Sequence, residues 1–337
     1  MKTLMAKKGE LKSPLFILAP MDDVTDTVFR QIVSSCAAPD YCFSEFVNVE
    51  GLLSPGRSRL LPKLDWNSIE PPLIAHIWGI NPDHFRVMAD DIASGKIAKE
   101  LGLKQNYAGI DLNMGCPART VVKSGACSAL IKNHELAAEI IKATKKGAGG
   151  RLPVSVKTRL GYERIEPEWT QFLLKQDVSM LTIHLRTVKE MSKVPAHFNE
   201  LKRIKEERDS LAPNTLLVAN GDILSREHGQ ELIDCYGLDG VMIGRGVFHD
   251  PFVFSDSSPW EGMEASDRLN LFKNHLRLYM QWAINPDKGV ARLNKYAKIY
   301  ICGFDGAKEL RDKLASRKSI QQMLDEVESF SEEYSYI

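Results

Sequence analysis

The segment Tyr107–Leu130 reads YAGIDLNMGCPARTVVKSGACSAL, and it carries the strongest structural signal in the chain. Its apolar start, Ala108–Leu112, predicts a short buried strand that breaks at Asn113 into a Gly-Cys-Pro turn. A loop of small and basic residues follows and leads into a helical pattern. The carboxyl end of a strand is where barrels and other parallel α/β folds carry their chemistry, which makes Cys116 a candidate. Taken alone, Gly-Cys-Pro is more often a plain turn, so the rest of the chain must decide.

The same alternation of strand and helix recurs on both sides of this segment. The other apolar runs predict strands at Leu15–Ala19, Tyr41–Ser44, Leu73–Trp78, Val154–Thr158, Met180–His184, Thr215–Ala219 and Gly240–Ile243. The helical patterns lie at Thr25–Cys36, Pro82–Glu100, Asn133–Lys146, Pro167–Lys175, Ala196–Glu206, Arg226–Cys235 and Val247–Phe254. Eight βα repeats in about 250 residues predict an α/β fold of the (β/α)8 TIM-barrel type. A doubly wound open sheet is the alternative, but no GxGxxG motif follows the first strand to support it.

The pattern changes after Trp260, where the chain shows amphipathic helical periodicity and no convincing strand. Ser257-Ser258-Pro259 reads as a linker. We therefore predict a catalytic barrel over residues 13–258 and a small all-helical domain over residues 264–337.

Composition favours a cytoplasmic protein without a membrane segment. The six cysteines (36, 42, 116, 127, 235 and 302) form no CxxC pair, and the amino-terminal stretch has no apolar core of a signal peptide. The net charge of zero gives no indication of a nucleic-acid partner. The segment Lys288–Lys318 is nevertheless basic, with nine Lys or Arg residues against three acids, a pattern that a merely solvated helix face also shows.

The predicted strand ends collect the polar residues that a barrel uses for binding. Gly221 follows the seventh strand and Gly244 the eighth, where a barrel commonly binds a phosphate through backbone N–H groups, and Arg245 adds charge. Lys157 would emerge inside the barrel mouth, where a buried ammonium needs an anionic partner such as a reduced flavin. His184, one strand further, could hydrogen-bond a cofactor ring or a substrate carbonyl.

Together these motifs resemble the tRNA-dihydrouridine synthase family. The resemblance runs from about residue 13 into the helical tail, and Val290–Tyr300 is similar to the bacterial C-type branch. The motifs that carry it are Ala19-Pro20-Met21, Asp111–Pro117, Ser155–Arg159, His184-x-Arg186-Thr187, Asn220-Gly221-Asp222 and Gly244-Arg245-Gly246.

The resemblance implies an FMN-containing barrel that reduces the C5–C6 double bond of a uridine in tRNA. NADPH would reduce the flavin, which would pass hydride to C6, and Cys116 would protonate C5 as general acid. A thiol with an ordinary pKa near 8.5 is mostly protonated at neutral pH, as an acid must be. We expect tRNA as the partner, no metal ion and a monomer.

Residue by residue, the resemblance assigns binding roles around Cys116. The expected FMN-binding residues are Pro20, Met21, Asp22, His76, Lys157, His184, Asn220, Gly221, Asp222, Gly244 and Arg245. The expected substrate-binding residues are Asn113, Arg159, Arg186, Arg292 and Lys295.

Two positions depart from the family pattern. His76 stands where the family usually has a glutamine that contacts the flavin ring, and an imidazole can also donate one hydrogen bond and accept another. Cys127 stands where a glycine is usual, so a positive φ there would strain it.

Two other functions fit parts of the pattern. A flavin barrel that reduces a free pyrimidine, of the dihydroorotate dehydrogenase kind, would share the Asn-x-x-Cys-Pro turn and the phosphate site, but it needs no basic helical domain. A non-catalytic RNA-binding protein on a decayed barrel would not need Cys116, Lys157, Asn113 and Arg159 intact.

Overall fold

We analysed a computed structural model of the chain, which describes residues 8–334. The strands are β1 Leu15–Leu18, β2 Tyr41–Phe43, β3 Val47–Asn48, β4 Leu73–Trp78, β5 Gly109–Met114, β6 Val154–Arg159, β7 Met180–His184, β8 Leu216–Asn220 and β9 Gly240–Ile243. The α-helices are α1 Thr27–Cys36, α2 Val49–Leu52, α3 Arg57–Leu60, α4 Pro82–Ala93, α5 Lys96–Glu100, α6 Arg119–Lys123, α7 His134–Ala148, α8 Pro167–Leu174, α9 Glu200–Leu211, α10 Arg226–Tyr236, α11 Gly246–His249, α12 Ala265–Trp282, α13 Val290–Tyr300, α14 Ala307–Ala315 and α15 Ile320–Tyr334. Short 3₁₀ segments lie at Lys8–Glu10, Leu61–Leu64, Cys127–Lys132, Trp260–Gly262 and Pro286–Gly289.

Eight parallel strands close into a barrel. They follow one another in the order β2, β1, β9, β8, β7, β6, β5, β4, and pairing of β2 with β4 completes the ring. The two-residue β3 pairs only with β4 among the described strands. The interior is filled by apolar side chains from around the ring, including Ile17, Phe43, Ile74, Val218 and Met242. The predicted (β/α)8 fold is confirmed.

All eight predicted strands are present, whereas three predicted helices are wrong in extent. The single helix expected over Pro82–Glu100 is divided into α4 and α5, because Gly95 has a left-handed φ of 80° that a continuous helix cannot contain. The helix expected at Ala196–Glu206 begins only at Glu200, and the one expected at Val247–Phe254 is the single turn α11.

The chain forms two compact units. The barrel unit contains the described residues up to Thr27 and Pro39–Gly244, and the helical unit contains Val28–Ala38 and the residues from Arg245 onward. In the helical unit, Phe29 of α1 stacks on Tyr296 of α13 at a ring distance of 5.0 Å. The domain bounds 13–258 and 264–337 stay predictions, and residues 335–337 lie outside the described part.

Within residues 8–334, no helix combines the length and the apolarity that crossing a bilayer requires.

Candidate active site

The cysteine turn follows β5 directly, and Asn113 shapes it. The side-chain oxygen of Asn113 accepts hydrogen bonds from the backbone N–H groups of Gly115 at 3.1 Å and Cys116 at 3.0 Å. Such an Asx turn fixes the backbone that carries the thiol. Cys116 is half-buried, and the Asn113 side-chain nitrogen takes no part in the turn. The turn thus presents a partly accessible thiol with an amide N–H donor nearby in the chain.

Arg159, at the end of β6, holds this turn against a neighbouring loop. Its Nε donates to the Gly115 carbonyl at 2.9 Å, and its Nη1 donates to the carbonyls of Thr187 at 3.0 Å and Met191 at 2.9 Å. Burial lowers the pKa of Arg159 to about 10, so it stays charged at neutral pH. The three hydrogen bonds all go to backbone carbonyls, so they hold the turn and the loop together. The remaining nitrogen, Nη2, makes no hydrogen bond to the described residues.

A second cysteine tunes the thiol of Cys116. A hydrogen bond from the Cys127 thiol is the main reason that the pKa of Cys116 is lowered from 9.0 to about 7, against the opposing effect of burial. The expectation of an ordinary, mostly protonated thiol is therefore wrong. Cys127 itself is buried and has a φ of 51°, so the backbone strain anticipated at this position is present.

Lys157 and Asn220 meet across the barrel mouth. The ammonium group of Lys157 donates to Asn220 Oδ1 at 3.1 Å, and Asn220 Nδ2 donates to the Met242 carbonyl at 2.8 Å. Burial lowers the pKa of Lys157 to about 8. Thr182 is the register partner of Lys157 on β7, and its buried hydroxyl has no hydrogen-bond partner among the described residues.

Arg186 belongs to a buried network of hydrogen bonds beside His184. Its Nη2 pairs with the Asp222 carboxylate, its Nε donates to the Val194 carbonyl at 2.6 Å, and its Nη1 lies 3.1 Å from His184 Nε2. Because a guanidinium can only donate, His184 Nε2 must accept, which leaves the imidazole proton on Nδ1. Substrate binding by Arg186 stays a prediction. The contact that the structure does provide is the one with His184, whose ring Arg186 holds in place.

The glycine between Asn220 and Asp222 is required by its surroundings. Gly221 has a φ of 116°, and a Cβ there would lie 2.9 Å from His184 Cδ2. A side chain would therefore be strained and would push on the imidazole.

His76 forms a buried chain with two residues that the sequence reading did not single out for a role. His76 Nδ1 lies 2.7 Å from Asp111 Oδ2, and the hydroxyl of Ser155 donates to Asp111 Oδ1 at 2.5 Å. Burial lowers the pKa of His76 despite the carboxylate, so we take it as neutral with its proton on Nδ1. Its Nε2 is then an acceptor. Asp111 could have been found from the sequence, because it lies two residues before Asn113 and so shares its strand face.

The loop after β1 is closed by a lysine that the sequence reading also missed. Pro20 is buried, and the Met21 N–H donates to Thr25 Oγ1 at 2.9 Å. Lys63 lies 2.5 Å from Asp22 and 3.7 Å from both Asp23 and Glu45. These three acids lie close enough together to approach a metal ion, and the single ammonium group of Lys63 lies within 4 Å of all three.

The remaining predicted residues lie at the end of β9 and in the helical unit. Gly244 follows β9, and Arg245 comes next, at the residue before α11. On α13, Lys295 is exposed and Arg292 is half-buried. The lysines at 288, 298, 308 and 318 are also exposed.

Comparison with known proteins identifies the family. The chain matches the dihydrouridine synthase (Dus) family model over residues 17–335. A probable tRNA-dihydrouridine synthase of Staphylococcus aureus is 47% identical over 331 residues, 96% of each chain. Probable tRNA-dihydrouridine synthase 2 of Bacillus subtilis is 44% identical over 328 residues, again 96% of each chain.

Among solved structures, a 2-naphthoyl-CoA reductase in complex with 2-naphthoyl-CoA matches with a TM-score of 0.50 at 10% identity. The match covers 74% of this chain and 50% of the reductase chain, so the protein spans about half the length of that reductase. This likeness shows the fold alone.

The resemblance drawn from the motifs is thus confirmed, while the C-type branch stays a prediction. Because the family model and these relatives cover nearly the whole chain, the protein belongs to the dihydrouridine synthase family and is an enzyme of the tRNA-dihydrouridine synthase class.

Proposed function

We propose that the protein reduces the C5–C6 double bond of a uridine in tRNA to 5,6-dihydrouridine, with Cys116 as the general acid for C5. The observation that carries this proposal is the half-buried Cys116 thiol on the Asn113 turn, at the carboxyl end of a barrel strand. When hydride adds to C6, the electron pair of the double bond is left at C5 and on the adjacent carbonyl. A positioned thiol can deliver the proton that completes the reduction.

The residues around Cys116 suit this role. Asn113 has a side-chain nitrogen that can donate to a uracil carbonyl, and Arg159 keeps Nη2 available beside the same turn. Donors that meet the developing charge stabilise the transition state more than the ground state. Arg159 also fixes the turn through its hydrogen bond to the Gly115 carbonyl. We therefore propose two roles for Arg159: it orients the Cys116 thiol, and it contacts the substrate.

The barrel mouth fits FMN by its donor set. Lys157 is a largely enclosed cation whose one hydrogen bond to the described residues goes to the Asn220 amide, and Thr182 holds an unpartnered buried hydroxyl next to it in register. Both are suited to the polar edge of a flavin ring. Pro20, Met21, Asp22, His76, His184, Gly221, Asp222, Gly244 and Arg245 complete the set we propose. FMN, once reduced by NADPH, would supply the hydride for C6.

We infer that the helical unit binds the tRNA backbone. Its exposed lysines and Arg292 can neutralise phosphates, which gives a salt-dependent affinity. A uridine must unstack from its neighbours to reach residues at the mouth of a barrel, and unstacking costs free energy. Binding of the tRNA backbone by a separate unit offsets part of that free energy. A tRNA substrate implies a cytoplasmic location, and we propose a monomer that uses no metal ion.

The test distinguishes tRNA from a free pyrimidine. The purified protein is loaded with FMN, reduced anaerobically with NADPH and mixed with tRNA that lacks dihydrouridine, or with orotate. We expect tRNA to reoxidise the flavin and to acquire dihydrouridine, and orotate to do neither. Reoxidation by orotate and not by tRNA would overturn the proposal.

Cys116→Ala tests the general acid. We expect dihydrouridine formation to fall by about 10²–10⁴-fold, the usual contribution of a positioned acid, with FMN and tRNA affinity retained. Cys235→Ala is the matched control, because that thiol is exposed and belongs to α10. Unchanged turnover in Cys116→Ala would remove the residue from the mechanism.

A further inference from the structure

His184 lies between two residues of the proposed site. In the barrel register it is the partner of Arg159 on β6 and of Asn220 on β8, and its side chain is half-buried at the carboxyl end of β7. Arg159 is the proposed substrate contact, and Asn220 pairs with Lys157 in the proposed flavin site. What the imidazole offers to either ligand depends on which ring nitrogen carries the proton, because a neutral imidazole has one donor and one acceptor.

A tight turn brings the guanidinium group of Arg186 onto this imidazole. The Arg186 backbone N–H donates to the His184 carbonyl at 2.7 Å, so both side chains belong to one short turn. Arg186 Nη1 lies 3.1 Å from His184 Nε2 and is hydrogen-bonded to it. Because a guanidinium has no acceptor, Nε2 must carry the lone pair and Nδ1 the proton. The ring is therefore neutral while it makes this contact.

The guanidinium group is itself held by other partners. Only 2% of Arg186 is exposed, its Nε donates to the Val194 carbonyl at 2.6 Å, and its Nη2 pairs with Asp222. The Asp222 carboxylate also accepts the N–H of Ala196 at 3.1 Å. All three guanidinium nitrogens thus bind protein groups, and moving the side chain would leave buried polar atoms unpaired.

The main chain at Gly221 contacts the same side of the ring. A Cβ at this position would lie 2.9 Å from His184 Cδ2 and 3.3 Å from His184 Nε2. Since glycine has no side chain, the backbone can approach the imidazole closely. Both neighbours contact the Cδ2–Nε2 side of the ring, so Nδ1 lies on the opposite side.

We propose that Arg186 is a positioning residue, which holds His184 in its neutral Nδ1–H form so that the imidazole serves the reaction only as a hydrogen-bond donor. The group it would bind is a carbonyl oxygen or an unprotonated ring nitrogen, and both flavin and uracil provide such atoms. His184 keeps its proton throughout, because an N–H that points at an acceptor stabilises negative charge there without transferring the proton. This inference rests on the proposed function, which supplies the two ligands.

The tautomer of His184 is the first measurement. Protein that carries isotope-labelled histidine is studied by long-range proton–nitrogen NMR at pH 8, where an ordinary imidazole is neutral. Protonated and unprotonated ring nitrogens have well-separated chemical shifts, and the signals that disappear in His184→Ala belong to His184. We expect the proton on Nδ1 in the unsubstituted protein. A proton on Nε2 would overturn the inference, and this result needs no substitution of the buried arginine.

Arg186→Met removes the donor and nearly keeps the length of the side chain. We expect His184 to change largely to the Nε2–H form, which an imidazole in water prefers. Arg208→Met is the matched control, because Arg208 is equally buried and pairs with Asp239 at the amino ends of β8 and β9. It loses a buried ion pair at the other end of the barrel and should leave the tautomer unchanged. An Nδ1–H form that persists in Arg186→Met, or is lost in both variants, would contradict the role of Arg186.

A binding constant and a rate then show which ligand accepts the hydrogen bond. Loss of one hydrogen bond weakens a contact by about three- to tenfold. A rise of that size in the Kd of oxidised FMN for Arg186→Met, measured by fluorescence titration of flavin-free protein, assigns the acceptor to the flavin. An unchanged Kd, with a fall of that size in the single-turnover rate at saturating tRNA, assigns it to the uracil. If neither quantity differs from that of Arg208→Met, the inference is overturned.

The tautomer also separates this inference from the proposed function. If the unsubstituted protein reduces no tRNA, the proposed function fails by itself. The position of the proton on His184 and its response to Arg186→Met still decide whether Arg186 controls the ring.

Discussion

At the level of single side chains, the thiol of Cys116 should set a pH limit on the proposed reaction. Its pKa of about 7 is lowered from 9.0, so the protonated form is lost as the pH rises through 7. We expect the single-turnover rate to be highest below pH 7 and to fall by about tenfold per pH unit well above it, because a general acid works only when protonated. Rapid-quench measurement of dihydrouridine between pH 6 and 9 checks this.

Proton loss from Lys157 would affect the pH dependence of the rate at a higher pH than proton loss from Cys116 does. Lys157 has a pKa of about 8, so any contribution from its charge is lost about one unit higher. A rate that climbs steadily from pH 7 to 9 would contradict the role of Cys116 as acid.

The buried chain of His76, Asp111 and Ser155 makes a separate prediction about stability. Asp111→Ala leaves both His76 Nδ1 and the Ser155 hydroxyl without their partner inside the barrel. We expect the free energy of unfolding to fall by about 2–4 kcal/mol, since each unsatisfied buried group costs about 1–3 kcal/mol. Urea denaturation measures the change.

Ser155→Ala is the control for that substitution. It removes one hydroxyl and leaves His76 paired with Asp111, so a smaller loss of about 1 kcal/mol is expected. Equal losses in the two variants would show that the His76 contact contributes nothing to stability.

For the helices and strands, the period of the apolar residues was a sufficient guide wherever an element is long and buried. It located all eight barrel strands, because both faces of a parallel strand are covered and its sequence is a short apolar run. It missed the one-turn helices α2, α3 and α6, which are too short to show a 3.6-residue period. It also missed the break at Gly95, where the apolar pattern continues through a residue in a left-handed conformation.

The close packing of α4 and α7 is a contact that no local pattern reveals. A Cβ on Gly147 of α7 would lie 2.1 Å from the Arg86 carbonyl oxygen and 3.0 Å from Ala89 Cβ on α4. Gly147→Ala should therefore destabilise the protein by about 2 kcal/mol or more, although alanine favours a helix by about 1 kcal/mol. Thermal or urea unfolding checks the sign.

Gly262→Ala is its matched control. No atom lies within 4 Å of a Cβ at Gly262, so the same substitution there should change the stability by less than about 0.5 kcal/mol. If Gly147→Ala proves neutral or stabilising, the two helices must be able to move apart at little cost.

For the protein as a folded unit, part of the acid sensitivity should come from a histidine of the helical unit. His275 is fully buried beside Phe29, Tyr296 and Tyr300, and its Nε2 has no hydrogen-bond partner among the described residues. Burial lowers its pKa from 6.5 to about 3. The unfolded chain therefore binds a proton below pH 6.5 that the folded chain does not bind until about pH 3.

Stability from this group is present above pH 6.5 and is lost as the pH falls towards 3. Between pH 6.5 and 4.5 we expect a loss of about 2–3 kcal/mol, at about 1.4 kcal/mol per pH unit. His275→Phe should reduce the measured loss of stability by about this amount, determined by denaturation at both pH values. His249→Phe, at an exposed position, should leave it unchanged. An undiminished loss in His275→Phe would contradict the assignment.

The fold class, the helical tail, the family and most candidate site residues followed from the chain alone, because they depend on short-range patterns: apolar runs, turn residues and motifs at strand ends. The partners of those residues did not. Each of these contacts joins residues that are far apart in sequence: 35 positions for His76 and Asp111, 36 for Arg186 and Asp222, and 11 for Cys116 and Cys127. Only closure of the barrel and its loops brings each pair together. Ionisation depends on burial and on neighbouring groups, and both are properties of the packed structure. That is why Cys116 could be named from its turn, whereas its acidity was decided by the fold.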